Sequence, residues 1–232
     1  MPEVPTPPHE TCWTMLRAAS AGDASAKSVF ARSYAAPIRA YLGHRWRDTP
    51  YTDTIDDAVQ DVFVECMKPG GVLDHANQDL GDFRALLYGV VRNIARRFEK
   101  RAARPSHHQP AESVHLDDLP AQQEALSRVF DRAWARSLLR EAVLSHAQAA
   151  RRGDKETRKR YRIVRLRHQQ RMPIREIAAQ LNEPDSEVIH NAYRRGRREF
   201  RTFLRTVVAR HTGAGPESLD AECRRVTELL GS

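Results

Sequence analysis

The chain has 232 residues, enough for one or two modest hydrophobic cores, and its 41% hydrophobic and 7% aromatic content suits a globular helical protein. There is no window of 18 apolar residues, and the opening MPEVPTPPHE lacks the basic start and apolar stretch of a secretion signal, so the sequence predicts a soluble, cytoplasmic chain with no membrane span. Cys12, Cys66 and Cys223 are too few and too scattered for a disulfide framework or a CxxC zinc site, while a formal net charge of +8 directs attention to anionic partners.

Residues 1–10 are rich in proline and are expected to be disordered, and residues 11–47 read as one or two helices ending near Arg47-Asp48-Thr49-Pro50. From Ile55 the apolar residues Ile55, Ala58, Val59, Val62, Phe63 and Cys66 recur at helical spacing until Pro69-Gly70-Gly71 closes the pattern. Phe83, Leu86, Leu87, Val90, Val91, Ile94, Ala95 and Phe98 form a second stripe of about four turns. After Arg101 the periodicity collapses into AARPSHHQPAESVHLDDLP, which reads as a linker. A helix from about Gln122 to Ala150 follows, broken at Gly153-Asp154, then a basic helix from Lys155 to Arg171, a short helix, a turn, and a long helix to about His211. The tail adds one amphipathic helix with Leu219, Cys223, Val226 and Leu230 on one side.

No alternating strand pattern occurs, so the expected fold is all-α: two small helical domains joined by a flexible linker. The boundaries are 1–10 for the disordered start, 11–101 for an N-terminal helical bundle, 102–121 for the linker, 122–211 for a helix-turn-helix domain, and 212–232 for a C-terminal extension.

The strongest local signal is Met172-Pro173-Ile174-Arg175-Glu176-Ile177-Ala178-Ala179-Gln180-Leu181, a turn at Asn182-Glu183-Pro184-Asp185, and a helix from Ser186. Pro173 suits a first helical position, Asn182 the left-handed residue that ends a helix, and Asp185 or Ser186 a cap for the next one. Two helices joined this way make a helix-turn-helix, whose second helix enters the major groove. Ser186 would open that helix, Glu187, His190, Asn191 and Arg194 would lie near base edges, and Arg195, Arg197, Arg198 and Arg201 would meet phosphates. Charge supports this placement: residues 1–101 carry 13 basic and 13 acidic side chains, whereas residues 151–211 carry 18 basic against 7 acidic.

The N-terminal half carries two helices of opposite sign. Between Asp53 and Glu65 there are five acids and no base, and Asp57, Asp61 and Glu65 align along one helix face, where like charges repel and favour a basic partner. The following helix has Arg84, Arg92, Arg96, Arg97, Lys100 and Arg101 against Glu99 alone, a nucleic-acid candidate.

The segment PIREIAAQL, turn, V…YRRGRREF resembles the fourth conserved region of the extracytoplasmic-function sigma factors of bacterial RNA polymerase. Asp56-Asp57-Ala58-Val59-Gln60-Asp61-Val62-Phe63 is similar to the D-x-V-Q-E-x-F helix of that family, and FRALLYGVVRNIA at 83–95 to its F-R-A-W-L-Y-x-I-A-R-N-x-A helix. The motifs together span about 30–101 and 123–205. Asn182 stands where the family usually has Gly, Arg195-Gly196-Arg197 falls one residue late, Leu86 replaces a Trp, and Arg97 sits where an Asp is common.

The resemblance implies a transcription initiation factor, not an enzyme, that binds core RNA polymerase and directs it to promoter DNA. Polymerase would be bound by Asp56, Asp57, Gln60, Asp61 and Glu65. The −10 element would be held by Arg84, Tyr88, Arg92, Asn93, Arg96, Arg97 and Lys100, and the −35 element by the recognition helix from Ser186 to Arg198. Phe83, on the apolar stripe, is expected in the core. An anti-sigma factor or a regulatory kinase would control such a protein, with Thr52 and Thr54 as candidate phosphate acceptors. The alternative is a stand-alone helix-turn-helix regulator. No cofactor or metal is expected: phosphate loop, nucleophile elbow and HExxH motifs are absent, and His107, His108 and His115 fall in the linker.

Overall fold

The computed structural model describes residues 12–75, 83–102, 120–212 and 214–231, and among them every regular element is helical. The helices are α1 (Cys12–Ser20), α2 (Ala24–Arg45), α3 (Ile55–Met67), α4 (Val72–His75), α5 (Phe83–Ala102), α6 (Pro120–Arg152), α7 (Lys155–Gln169), α8 (Ile174–Gln180), α9 (Ser186–Thr212) and α10 (Leu219–Gly231), with a 3₁₀ turn at Thr52–Thr54. Two compact units result, 1–137 with 209–232, and 138–208. This division falls inside α6 at Ser137 and not within 102–121, most of which lies outside the described residues, as do residues 1–10 and the linker histidines.

In the first unit, Asp23 starts α2 by accepting a hydrogen bond from the Ala26 N–H at 2.6 Å. Phe30, Tyr34, Ile38, Tyr41 and Leu42 of α2, and Trp46 just past its end, enter a core shared with Val62 of α3 and Leu87, Val91 and Ile94 of α5, all at most 1% exposed. Phe30 meets Phe63 and Phe83 edge-on, at 5.7 and 5.9 Å between centroids, so Phe83 is a core residue as its periodicity predicts. Leu86, predicted on the same stripe, is 41% exposed. Glu99 ties the far ends together: its oxygens accept from Arg45 Nε at 2.7 Å, Arg45 Nη2 at 2.6 Å and Trp46 Nε1 at 2.7 Å.

Pro69-Gly70-Gly71 does end α3, and Gly70 takes a positive φ of 68° there. A short helix, α4, follows where the sequence showed no pattern. The N-terminal half of α6 belongs to this unit, with Leu126, Phe130 and Trp134 buried at four-residue spacing. Val226 of α10 is fully buried and Leu219, Cys223 and Leu230 are partly so, so the apolar side of the last helix is covered.

In the second unit Leu138, Ala142, His146 and Ala150 continue the buried stripe of α6. Asp154 caps α7 by accepting from the Thr157 N–H at 2.7 Å, and that bond holds its carboxyl below the usual carboxylate range. The helix stops at Gln169, two residues before the expected end, and Arg171 adopts a φ of 53°. Ile163 and Leu166 of α7, Ile177 and Ala178 of α8 and Ile189 of α9 form the core, flanked by Met172, Ile174, Leu181, Ala192 and Tyr193. This three-helix packing positions the site.

Candidate nucleic-acid interface

The turn between α8 and α9 is built from its own backbone. Asn182 lies in the left-handed region at φ 51°, the Asn182 N–H donates to the Ala179 carbonyl at 3.1 Å, and the Glu183 N–H donates to the Ala178 carbonyl at 2.9 Å. That pair of bonds is a Schellman motif, which satisfies the last carbonyls of α8 and turns the chain sharply. Asp185 then caps α9, its Oδ1 accepting from the Glu187 N–H at 2.8 Å. Pro173, expected as the first helical residue, is instead the residue before it, with φ −62° and ψ 152°. Lys159 of α7 braces the turn by donating to Glu183 Oε2 at 3.0 Å.

Apart from Ile189, Ala192 and Tyr193, which pack on the core, the first turns of α9 face outward. Ser186, Glu187, His190, Asn191, Arg194, Arg195, Arg197, Arg198 and Arg201 are all exposed, so the predicted base-facing and phosphate-facing side chains share one accessible surface. The inner face is pinned to α7 at Gly196, where a Cβ would stand 2.7 Å from Val164 Cγ2 and 3.1 Å from the Arg160 carbonyl oxygen. Arg160 Nε also donates to Glu199 Oε1 at 2.6 Å. Glu199 is 3.8 Å from Nε2 of His146, which is 2% exposed, packed by Tyr161, Phe200 and Phe203, and held below its ordinary pKa by burial.

Sequence reading missed two features of this surface. Val188 is 41% exposed among the polar residues of the first turn, although its type suggests core. Tyr193 Oη lies 3.0 Å from His168 Nε2, and the Arg197 guanidinium sits over the Tyr193 ring at 5.7 Å. Burial, then Arg197 and Arg167, push the His168 pKa down from its ordinary value. The His168–Tyr193 pairing is not visible in sequence because its partners lie on different helices, α7 and α9.

The other predicted cationic face differs from expectation. Asn93, Arg97 and Lys100 on α5 are exposed, Arg92 and Arg96 are half-buried, but Arg84 is only 8% exposed. Its Nη1 is 3.2 Å from Asp131 Oδ1, and its guanidinium lies 4.9 Å from the centre of the Trp134 ring. Tyr88 packs against Tyr41 and Phe130, at 5.5 and 5.7 Å between centroids, and its hydroxyl donates to the Gln123 carbonyl at 3.4 Å. Arg84 and Tyr88 therefore join α5 to α6 and do not present themselves with the rest of the basic face. The reason is the amphipathic first half of α6, whose aromatic side needed a surface to bury it.

The acidic stripe on α3 is partly satisfied within the chain. Asp56 pairs with Arg39, Asp61 lies 3.9 Å from Arg97 Nη2, and Glu65 lies 2.7 Å from Lys68 Nζ and 3.5 Å from Arg97 Nη1. Lys68, then Arg97, hold the Glu65 carboxyl below its usual range. Asp57 and Gln60 are exposed, and beside them Val64 is 57% exposed. Thr52 Oγ1 donates to the Trp46 and Thr49 carbonyls, at 3.0 Å each, and Thr54 Oγ1 to the Tyr51 carbonyl at 2.8 Å. No group of three or more His, Cys, Asp or Glu side chains suited to a metal ion occurs among the described residues, and no described helix is long and apolar enough to cross a membrane. Burial raises the Cys66 thiol to about 12, which makes it an unreactive packing group. No protein family, curated protein or solved structure matches the chain.

Proposed function

We propose that the chain is a sigma-type transcription initiation factor, which binds core RNA polymerase and directs promoter-specific initiation. The observation that carries this reading is the three-helix unit of α7, α8 and α9, with a Schellman turn at Asn182 and seven predicted contact residues from Glu187 to Arg198 exposed on the second helix of the pair. In a helix-turn-helix those positions face base edges at the start of the helix and phosphates further along. Asp57, Gln60 and Val64 offer a polar surface with an apolar centre on α3, which supports protein docking there. Asn93, Arg97 and Lys100 support a second DNA contact, with Arg84 and Tyr88 serving to attach α6.

Co-purification with core RNA polymerase followed by run-off transcription tests the whole reading. Asp57→Lys combined with Gln60→Lys is expected to abolish polymerase binding while leaving duplex binding by the full chain unchanged. Within DNA recognition, Arg194→Ala should change base preference, whereas Arg201→Ala should weaken all sequences alike and lower the salt slope by about one. Equal effects on every promoter variant would defeat that division.

A stand-alone helix-turn-helix regulator is the second reading, favoured by the internal pairing of Asp56, Asp61 and Glu65 and by the engagement of Arg84 with α6. It predicts sequence-specific duplex binding with no retention on core polymerase.

A further inference from the structure

The outer side of α7 holds cations that the recognition helix does not use. Arg158, Arg162 and Arg165 lie at i, i+4 and i+7, all exposed, on the side of α7 turned away from Ile163 and Val164. Lys155, at the start of α7, and Arg151 and Arg152, at the end of α6, are exposed next to them across the turn at Gly153. None of these six has an ion pair among the described residues; Arg158 Nη1 donates only to the Gly153 carbonyl, at 2.6 Å. The two acids between 151 and 170 do not offset them, since the Asp154 carboxylate is taken up in capping α7 and Glu156 is a single exposed charge.

We infer that this face is a second docking surface for the phosphate backbone of duplex DNA. The inference rests on the DNA-binding reading of α9 and extends it to a second side of the same unit. The exposed residues of α7 from Lys155 to Gln169 are cationic or polar and include no large apolar side chain. A protein partner would need apolar or aromatic anchors at the centre of its interface, whereas phosphate contacts need only cations and donors. Arginine suits them because its forked donors match phosphate oxygens.

The two faces serve different stretches of duplex. The inner side of α9 meets α7 at Gly196, against Val164 and Arg160, so the exposed side of α9 points away from α7 and the arginine ridge points away from α9. Two helices of about 10 Å diameter packed 8–10 Å apart put their outer surfaces roughly 20 Å apart. A straight duplex seated on α9 therefore does not reach Arg162 and Arg165; a second duplex, or a distant part of a bent one, does.

Stoichiometry tests this with the full chain and mixed-sequence duplexes of about 15 base pairs, roughly one and a half helical turns, at about 50 mM salt. Donor- and acceptor-labelled duplexes read co-occupancy by energy transfer, and sedimentation reads the ratio. The wild type is expected to bind two duplexes. Arg162→Ala with Arg165→Ala should bind one, with unchanged helicity and melting temperature. The Arg162→Lys with Arg165→Lys chain should regain the second duplex. Arg194→Ala with Arg198→Ala should also bind one, through the α7 face. A wild type that saturates with one duplex, or an α7 variant that keeps two, overturns the inference while leaving the reading of α9 intact. A wild type that binds no duplex overturns both.

Discussion

Gly196 and Arg84 show how single residues set what the two units can present. At Gly196 the backbones of α9 and α7 approach too closely for a larger residue, and the atoms a side chain would meet are a β-branched methyl and a backbone carbonyl, neither of which moves cheaply. Gly196→Val is expected to cost about 2 kcal/mol, because overpacking outweighs the few tenths gained in helix propensity. Thermal melting should show the loss, and duplex affinity should fall with it as the recognition helix shifts from α7. At Arg84 the charge is tolerated because Asp131 and the Trp134 face replace water. Asp131→Ala leaves that guanidinium in a buried site with one partner fewer, at a cost of about 2 kcal/mol, less than for a fully buried pair because the Asp131 side chain is 24% exposed. The midpoint of urea unfolding checks it, and an unchanged midpoint would mean the pair is immaterial.

At the level of elements, the turn joining α8 to α9 is a backbone device with a side-chain preference. Asn182 bears the left-handed conformation at φ 51°, which asparagine tolerates better than most residues and glycine best. Asn182→Gly should stabilise the unit by a few tenths of a kcal/mol or more, and Asn182→Val should destabilise it by about 1–2 kcal/mol, both read by thermal melting. This turn was legible because its determinants are local: Asn182 at the end of an apolar pattern, and Asp185 just before the next. The stripes of α3 and α5 and the breaks at Pro69-Gly70-Gly71 and Gly153-Asp154 were legible for the same reason. What was hidden depends on partners far apart in sequence. Arg84 and Asp131 are 47 positions apart, and nothing in FRALLYGVV says that its arginine turns towards another helix. Leu86 fits the helical period yet is exposed, because a stripe broader than the buried surface leaves its edge outside. Val188 and the His168–Tyr193 pair escape notice similarly, since periodicity marks which side of a helix is apolar but not how much of it is covered.

For the molecule as a whole, pH is the lever with a definite sign. His211 is buried at the end of α9 against Tyr34, with ring centroids 6.1 Å apart, and burial and then Arg210 push its pKa down to about 3. His146 is likewise held down by burial, although Glu199 opposes the shift. A histidine depressed in the folded state contributes stability that is fully present above its unfolded value near 6.5, and that stability drains away as the pH falls towards the folded value. Below 6.5 the unfolded chain takes up a proton that His211 refuses in the folded chain, at up to about 1.4 kcal/mol per pH unit. The window from pH 6.5 to 5 isolates the effect, because ordinary carboxylates stay largely ionised there. Over that range His211 alone should remove about 2 kcal/mol, and His146 should add to the loss. His211→Leu keeps a side chain of similar bulk and removes the proton site, so urea unfolding at pH 6.5, 6.0, 5.5 and 5.0 should show a visibly shallower decline for the variant. Equal slopes for variant and wild type would mean that His211 takes up its proton in the folded state, and that its surroundings accommodate charge despite their burial.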